Sequence, residues 1–164
     1  MEPIEKQLLA VVDELIEKNK KLYDLFRQER SCVTHFDING LRTVNADEMQ
    51  LSVEISDLNQ QRLHLVMQLK EKYQVTEMPV TLAVLTRYVP QPYAAYYEER
   101  AAYFKKLLAD IIRCRNLNNR LIEKAIRFNE RHIQLYIKAG DKKLTYDNTG
   151  TINHSRRQML DSVV

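Results

Sequence analysis

The sequence is poor in the residues that make turns. Its 164 residues include three glycines, four prolines and no tryptophan. Because glycine and proline are the main signals of turns and loops, so few of them predict a handful of long helices. The scarcity of glycine also leaves neither a Gly-x-x-x-x-Gly-Lys nor a Gly-x-Gly-x-x-Gly loop, the two motifs that hold nucleotide phosphates.

Cysteines and long apolar runs are equally scarce. The two cysteines, Cys32 and Cys114, stand far apart, which indicates free thiols in a reducing compartment. No segment approaches the ~20 apolar residues that span a bilayer. The first residues lack the basic start and apolar centre of a secretion signal. We therefore expect a soluble, cytoplasmic protein without membrane insertion.

Motifs for metal binding and catalysis are missing as well. The four histidines lie in different segments, and no His-x-x-x-His, Glu-x-x-His or Cys-x-x-Cys motif occurs. There is no Gly-x-Ser-x-Gly turn for a nucleophile. His132 falls at a seam position of a predicted helix, where a hydrogen-bonded bundle residue is expected. We therefore expect no enzyme activity, no cofactor and no metal site.

Charge is unevenly distributed along the chain. Residues 1–93 carry a net charge of −3 and residues 94–164 one of +6. The basic residues of the predicted last helix alternate with acidic ones, which is typical of a solvated face and disfavours nucleic-acid binding. These residues are Lys105, Arg113, Arg120, Lys124 and Arg131, interleaved with Asp110, Glu123 and Glu130.

Apolar residues recur at intervals of three and four over three long stretches. This periodicity predicts helices over residues 4–31, 45–73 and 94–139, the last ended by Gly140 as a C-terminal cap. Asn39-Gly40 predicts a turn between the first two helices. Pro79 can begin a short helix that continues to Tyr88.

The predicted fold is all-α: an antiparallel bundle of three long helices plus a short proline-flanked helix. At about 1.5 Å per residue the last helix exceeds the other two by roughly four turns. Asn118 would form a polar layer on its seam, of the kind that fixes register. We expect a helical domain over residues 1–140 and a flexible polar tail over residues 141–164.

The overlong end of the last helix is apolar on more than one side. One stripe holds Leu121, Ala125, Phe128 and Leu135, and a second holds Ile122, Ile126, Ile133 and Ile137. Such a surface has to be covered. Either the earlier helices or the segment Pro79–Tyr88 fold over it, or it is a docking surface for another protein.

The stretch RCRNLNNRLIEKAIRFNERHIQLY, followed by KKLTYDNTGTI, resembles the FlgN-type flagellar export chaperones. Asparagines three apart, an apolar pair and a Tyr-containing turn after the long helix characterise that family. Asn118, Leu121, Ile122, Ile126 and Asn129 fall on the pattern, and residues 145–150 stand in the turn. Arg115 and Asp147 depart from it. The order of helices along the chain also agrees.

The resemblance implies a cytoplasmic chaperone of flagellar type III export. It would bind hook–filament junction proteins through its C-terminal helix, keep them unassembled and deliver them to the export gate. The client-binding residues implied are Leu121, Ile122, Ala125, Ile126, Phe128, Ile133 and Ile137. Tyr146, on the tail, would contact the export gate.

An alternative from another functional class is a helical-bundle adaptor or dimerisation module without a role in secretion. In that case the apolar helix end would close a symmetric dimer, and Tyr146 would have no role. A weak homodimer is expected even for the chaperone, since exposed apolar stripes often associate. The two functions therefore differ in whether the surface exchanges its partner.

Overall fold

The computed structural model describes residues 3–141, and the side chains of residues 3–138. This part of the chain forms four α-helices and no strand: α1 (Ile4–His35), α2 (Ile38–Lys72), α3 (Leu82–Leu85) and α4 (Tyr93–Asp141). The predicted all-α fold is confirmed. The chain divides into two compact units, Met1–Ile122 and Glu123–Val164. The boundary at residue 140 between a helical domain and a tail stays a prediction.

The break between α1 and α2 is shorter than the sequence predicts. Phe36 adopts a left-handed conformation, with φ of 56°, and ends α1. The Asp37 side chain then accepts a hydrogen bond of 2.9 Å from the backbone N–H of Gly40 and caps α2. Asn39-Gly40 therefore lies in the first turn of a helix, and the turn prediction there is wrong. A carboxylate at the N-cap satisfies an amide that a helix start leaves unpaired.

Two other helix ends also differ from expectation. The short helix begins at Leu82 rather than Pro79, because the Thr81 hydroxyl caps it by accepting from the Val84 N–H at 3.2 Å. The last helix continues through Gly140 to Asp141, so the predicted cap at Gly140 is wrong. Glycine costs a helix only about 1 kcal/mol relative to alanine and does not by itself force an end.

Within the first unit, α2 runs antiparallel to α1, and α4 runs parallel to α1. Glu5 near the start of α1 meets Lys72 at the end of α2 and Tyr97 near the start of α4. The main buried cluster joins the start of α1, the end of α2, the segment between α2 and α4 that includes α3, and the start of α4. Its fully or nearly fully buried members are Leu8, Val12, Val66, Leu69, Val75, Leu85 and Tyr97.

A buried carboxylate anchors this end of the bundle. Glu5 is only 2% exposed, and its Oε1 accepts hydrogen bonds from Lys72 Nζ at 2.6 Å and from the Tyr73 hydroxyl at 2.5 Å. The Tyr97 hydroxyl donates to the Glu5 backbone carbonyl at 2.9 Å. Burial raises the pKa of Glu5, but the bonds from Lys72 and Tyr73 outweigh it and hold that pKa below its usual value.

Candidate partner-binding site

A polar layer joins α4 to the later part of α1. Asn118 is 1% exposed, and its amide nitrogen donates to the Phe26 carbonyl and to Glu29 Oε2, both at 2.6 Å. Its amide oxygen accepts from Arg30 Nε at 3.1 Å, and Arg30 also donates to Cys114 Sγ at 3.0 Å. The predicted polar layer at Asn118 is therefore confirmed, with every hydrogen-bonding group of the amide engaged except one acceptor lone pair.

The same region contains a carboxylate from α2, that of Glu48. Its Oε1 is buried and has no hydrogen-bond partner. Burial, followed by the nearby carboxylate of Glu29, raises the pKa of Glu48 to about 7, although Arg115 acts in the opposite direction. The sequence does not reveal this, because the three residues come from three different helices.

The part of α4 that lies in the second unit exposes large apolar side chains. Ile126, Phe128, Ile133, Leu135, Tyr136 and Ile137 have exposed fractions between 47% and 76%. Every residue from 126 to 138 is exposed. We call residues 123–138 of α4, which are exposed except for the half-buried Ala125, the exposed segment. A run of exposed apolar residues of this size on a helix is typical of a surface that binds another protein.

The seven predicted client-binding residues fall into two groups. Leu121, Ile122 and Ala125 are half-buried. The other four, Ile126, Phe128, Ile133 and Ile137, are exposed. Their assignment as client-binding residues stays a prediction.

Leu135 and Tyr136 are not among the predicted client-binding residues, although Leu135 is 62% and Tyr136 76% exposed. Leu135 follows Phe128 by seven residues, or about two helical turns, so it shares one face of α4 with Phe128. The spacing alone therefore indicates that Leu135 belongs with the predicted client-binding residues. Tyr136 lies between the two apolar stripes, so helical spacing does not indicate it.

His132 is not the hydrogen-bonded bundle residue that the sequence predicts. It is exposed, and its ring lies over that of Phe128 with the ring centroids 4.2 Å apart and the planes tilted by 55°. Its seam position follows the helical period, but the period alone does not decide whether a side chain is buried.

Tyr146, the predicted export-gate contact, lies outside the described residues. Among residues 3–138, no group of three or more His, Cys, Asp and Glu side chains is arranged to hold a metal ion. None of the helices in the described part of the chain combines the length and apolar character needed to cross a lipid bilayer.

A comparison with protein families shows which family the chain belongs to. A family model described as FlgN protein matches residues 1–154, nearly the whole sequence. The chain belongs to the FlgN family. Membership in this family indicates a flagellar export chaperone, and the family is one of chaperones rather than enzymes. No curated protein and no solved structure gives a significant match to the chain.

Proposed function

We propose that this FlgN-family protein escorts hook–filament junction proteins in the cytoplasm. It would bind them through the C-terminal part of α4, keep them unassembled and deliver them to the export gate of the flagellar secretion apparatus. The observation that carries the proposal is the row of exposed apolar side chains in the exposed segment, in a chain that belongs to a chaperone family.

The proposed client surface comprises seven residues, of which four contribute most. Ile126, Phe128, Ile133 and Ile137 are exposed and would lose water-accessible surface on binding. Leu121, Ile122 and Ala125 are half-buried already and would contribute less. Leu135 and Tyr136 extend the surface. High exposure supports a partner-binding role over an internal packing role for these side chains.

Hydrophobic burial can supply the affinity that a chaperone needs. Covering about 700 Å² of apolar surface would yield roughly 15–20 kcal/mol before costs, at about 25 cal/mol per Å². Lost translational freedom and the ordering of the client segment consume most of this. The remainder suits a complex of micromolar affinity or better, which protects the client and can still release it.

Delivery to the export gate would involve Tyr146. This part of the proposal is supported by the resemblance to the FlgN family. An amphipathic aromatic side chain outside the client surface would permit binding of the gate and of the client at the same time. The variant Tyr146→Ala should then retain the client in co-purification but fail to support its export.

Co-purification of candidate junction proteins tests client binding. The double variant Ile126→Asp/Ile133→Asp should remain helical by circular dichroism and lose the client. The control is Met49→Asp/Val53→Asp, which places two aspartates at exposed apolar positions of α2 and should retain it. Equal loss in both variants, or retention in both, would contradict the assignment.

A dimerisation module is the second candidate, because an exposed apolar stripe can also bind a second copy. The variant pair distinguishes the two functions when oligomeric state is measured by light scattering. A tight dimer that the α4 aspartates dissociate, with no junction protein bound by the wild type, would favour the dimerisation module.

A further inference from the structure

Apart from Arg127, the charged residues of the exposed segment form two separate rows. Lys124, Arg131 and Lys138 recur every seven residues and are all exposed. Because seven residues make about two turns of helix, the three cations share one edge of α4. Phe128 lies four residues after Lys124 and three before Arg131, so this edge, the basic row, borders the stripe that contains Phe128 and Leu135.

The opposite edge carries the other sign. Glu123 and Glu130 are also seven residues apart, and each precedes an isoleucine of the second stripe by three positions. Residues three apart are neighbours on a helix surface, so Glu123 lies beside Ile126 and Glu130 beside Ile133. The two apolar stripes therefore differ in the charge along their outer borders.

The basic row has no acidic partners among the described residues. The ion pair found in the exposed segment joins Arg127 to Glu123 at 4.0 Å, and it involves neither Lys124, Arg131 nor Lys138. Three cations at the border of an apolar stripe are thus left to interact with solvent or with a partner. At such positions in paired helices, charges select the partner and set its orientation.

The heptad pattern distinguishes between types of partner. With Leu121, Phe128 and Leu135 at the d positions of the heptad, the basic row takes the g positions. These flank the core and face the neighbouring helix. In an antiparallel pair of identical chains, this row would face its own copy and repel it. In a parallel pair it would face Asn129 and Tyr136, which carry no negative charge. The pattern therefore disfavours a second copy and fits a helix with acidic flanks.

We propose that the stripe containing Phe128 and Leu135 binds an amphipathic helix from another protein, with carboxylates along the edge that faces Lys124, Arg131 and Lys138. The inference rests on the proposed function in that the helix would belong to a client, and it adds the charge by which such a helix is selected. An anionic membrane is a poorer match, because Glu123 and Glu130 border the neighbouring apolar stripe.

Two designed helical peptides test the proposal against the full-length chain. Both have the same apolar heptad core, and they differ in carrying glutamate or lysine at the flanking positions. Fluorescence anisotropy should show that the glutamate peptide binds about tenfold more tightly at low salt, a factor of the size that a few exposed ion pairs provide. The preference should shrink as the salt concentration rises, because salt screens exposed charges.

Charge reversal with a matched control locates the effect. Lys124→Glu/Arg131→Glu should invert the preference in favour of the lysine peptide. The control Lys105→Glu/Lys106→Glu makes the same change in net charge at exposed positions of α4 before the exposed segment, and should leave the preference intact. If the control variant inverts it as well, the effect reflects net charge and the proposal is wrong.

Other outcomes also overturn the inference. These are equal binding of the two peptides, no binding of either, or binding only to phosphatidylglycerol vesicles that Lys124→Glu/Arg131→Glu abolishes. Failure of the proposed function is seen separately in the co-purification experiment, since Ile126→Asp/Ile133→Asp leaves the basic row unchanged. If that variant loses the client while the wild type binds both peptides equally, the client surface is supported. The acidic edge on the partner helix is then rejected.

Discussion

The Asn118 amide of α4 donates a hydrogen bond of 2.6 Å to the backbone carbonyl of Phe26 in α1. The same side chain bonds to Glu29 and Arg30, so one residue ties α4 to two consecutive charged residues of α1. A buried amide at a helix–helix seam stabilises one register over its neighbours, because any slip leaves polar groups without partners.

Replacing this amide should destabilise the bundle. In Asn118→Leu, the carboxylate of Glu29 and the guanidinium of Arg30 lose a partner. We expect the free energy of unfolding to fall by about 1–3 kcal/mol, the usual cost of leaving such groups unsatisfied. Urea denaturation at neutral pH measures this. An unchanged or higher midpoint would show that the layer does not contribute to stability.

Glu48 should make stability depend on pH between about 4.5 and 7. Its pKa in the folded chain is raised to about 7, so the folded state binds more protons than the unfolded state in this range. Stability should therefore fall as the pH rises through that window. Glu48→Gln should remove this dependence and stabilise the chain by about 1–2 kcal/mol at pH 8, with little effect at pH 4.5.

Denaturation of the wild type and Glu48→Gln over this pH range provides the measurement. Asp47→Gln is the control, because Asp47 is the exposed neighbour in the sequence. If Asp47→Gln gives the same gain at pH 8, the effect comes from the net charge of this part of α2 and not from the buried carboxylate.

Glu5 should have the opposite dependence at lower pH. Its pKa is lowered in the folded chain, so its contribution is present above the unfolded value of about 4.3 and is lost as the pH falls through the folded value. Glu5→Gln should lower the free energy of unfolding by about 1–3 kcal/mol at pH 7. The difference from wild type should shrink in acid. A constant difference at all pH values would contradict an ionised Glu5.

Gly40→Ala should destabilise the start of α2. At an open helix position this change stabilises by about 1 kcal/mol. Here a Cβ would collide with the capping carboxylate of Asp37 and lie 2.9 Å from Cys32 Sγ. Displacing the cap costs up to about 2 kcal/mol, so the net loss of stability should reach about 1 kcal/mol. Asn39→Ala, in the same turn and exposed, is the control that should not destabilise, and thermal unfolding compares the two.

The long helices can be predicted from the sequence because their apolar residues follow the helical period over many turns. Asn118 is recognisable as a seam residue for the same reason. The start of α2 is not, since Asn39-Gly40 is a strong turn signal. The capping bond of Asp37 to Gly40 is a local geometric feature that the turn statistics of the dipeptide do not contain.

Contacts between residues that are far apart in the chain cannot be predicted from this sequence. The bonds of Glu5 to Lys72 and Tyr73, and the closeness of Glu48 to Glu29, depend on how α1 and α2 align, which periodicity does not fix. Periodicity places the apolar stripes of α4 correctly. It cannot decide whether they are covered, because covered and exposed stripes have the same spacing.

Amide hydrogen exchange with and without a co-purified junction protein tests the central claim most directly. The amides of residues 123–138 should exchange quickly in the free chain, because nearly all side chains of this part of the helix are exposed, and should slow markedly on binding. Amides around Met49 and Val53, on the exposed face of α2, should not change. Protection confined to α2, with none in the exposed segment, would contradict the assignment of the client surface to α4.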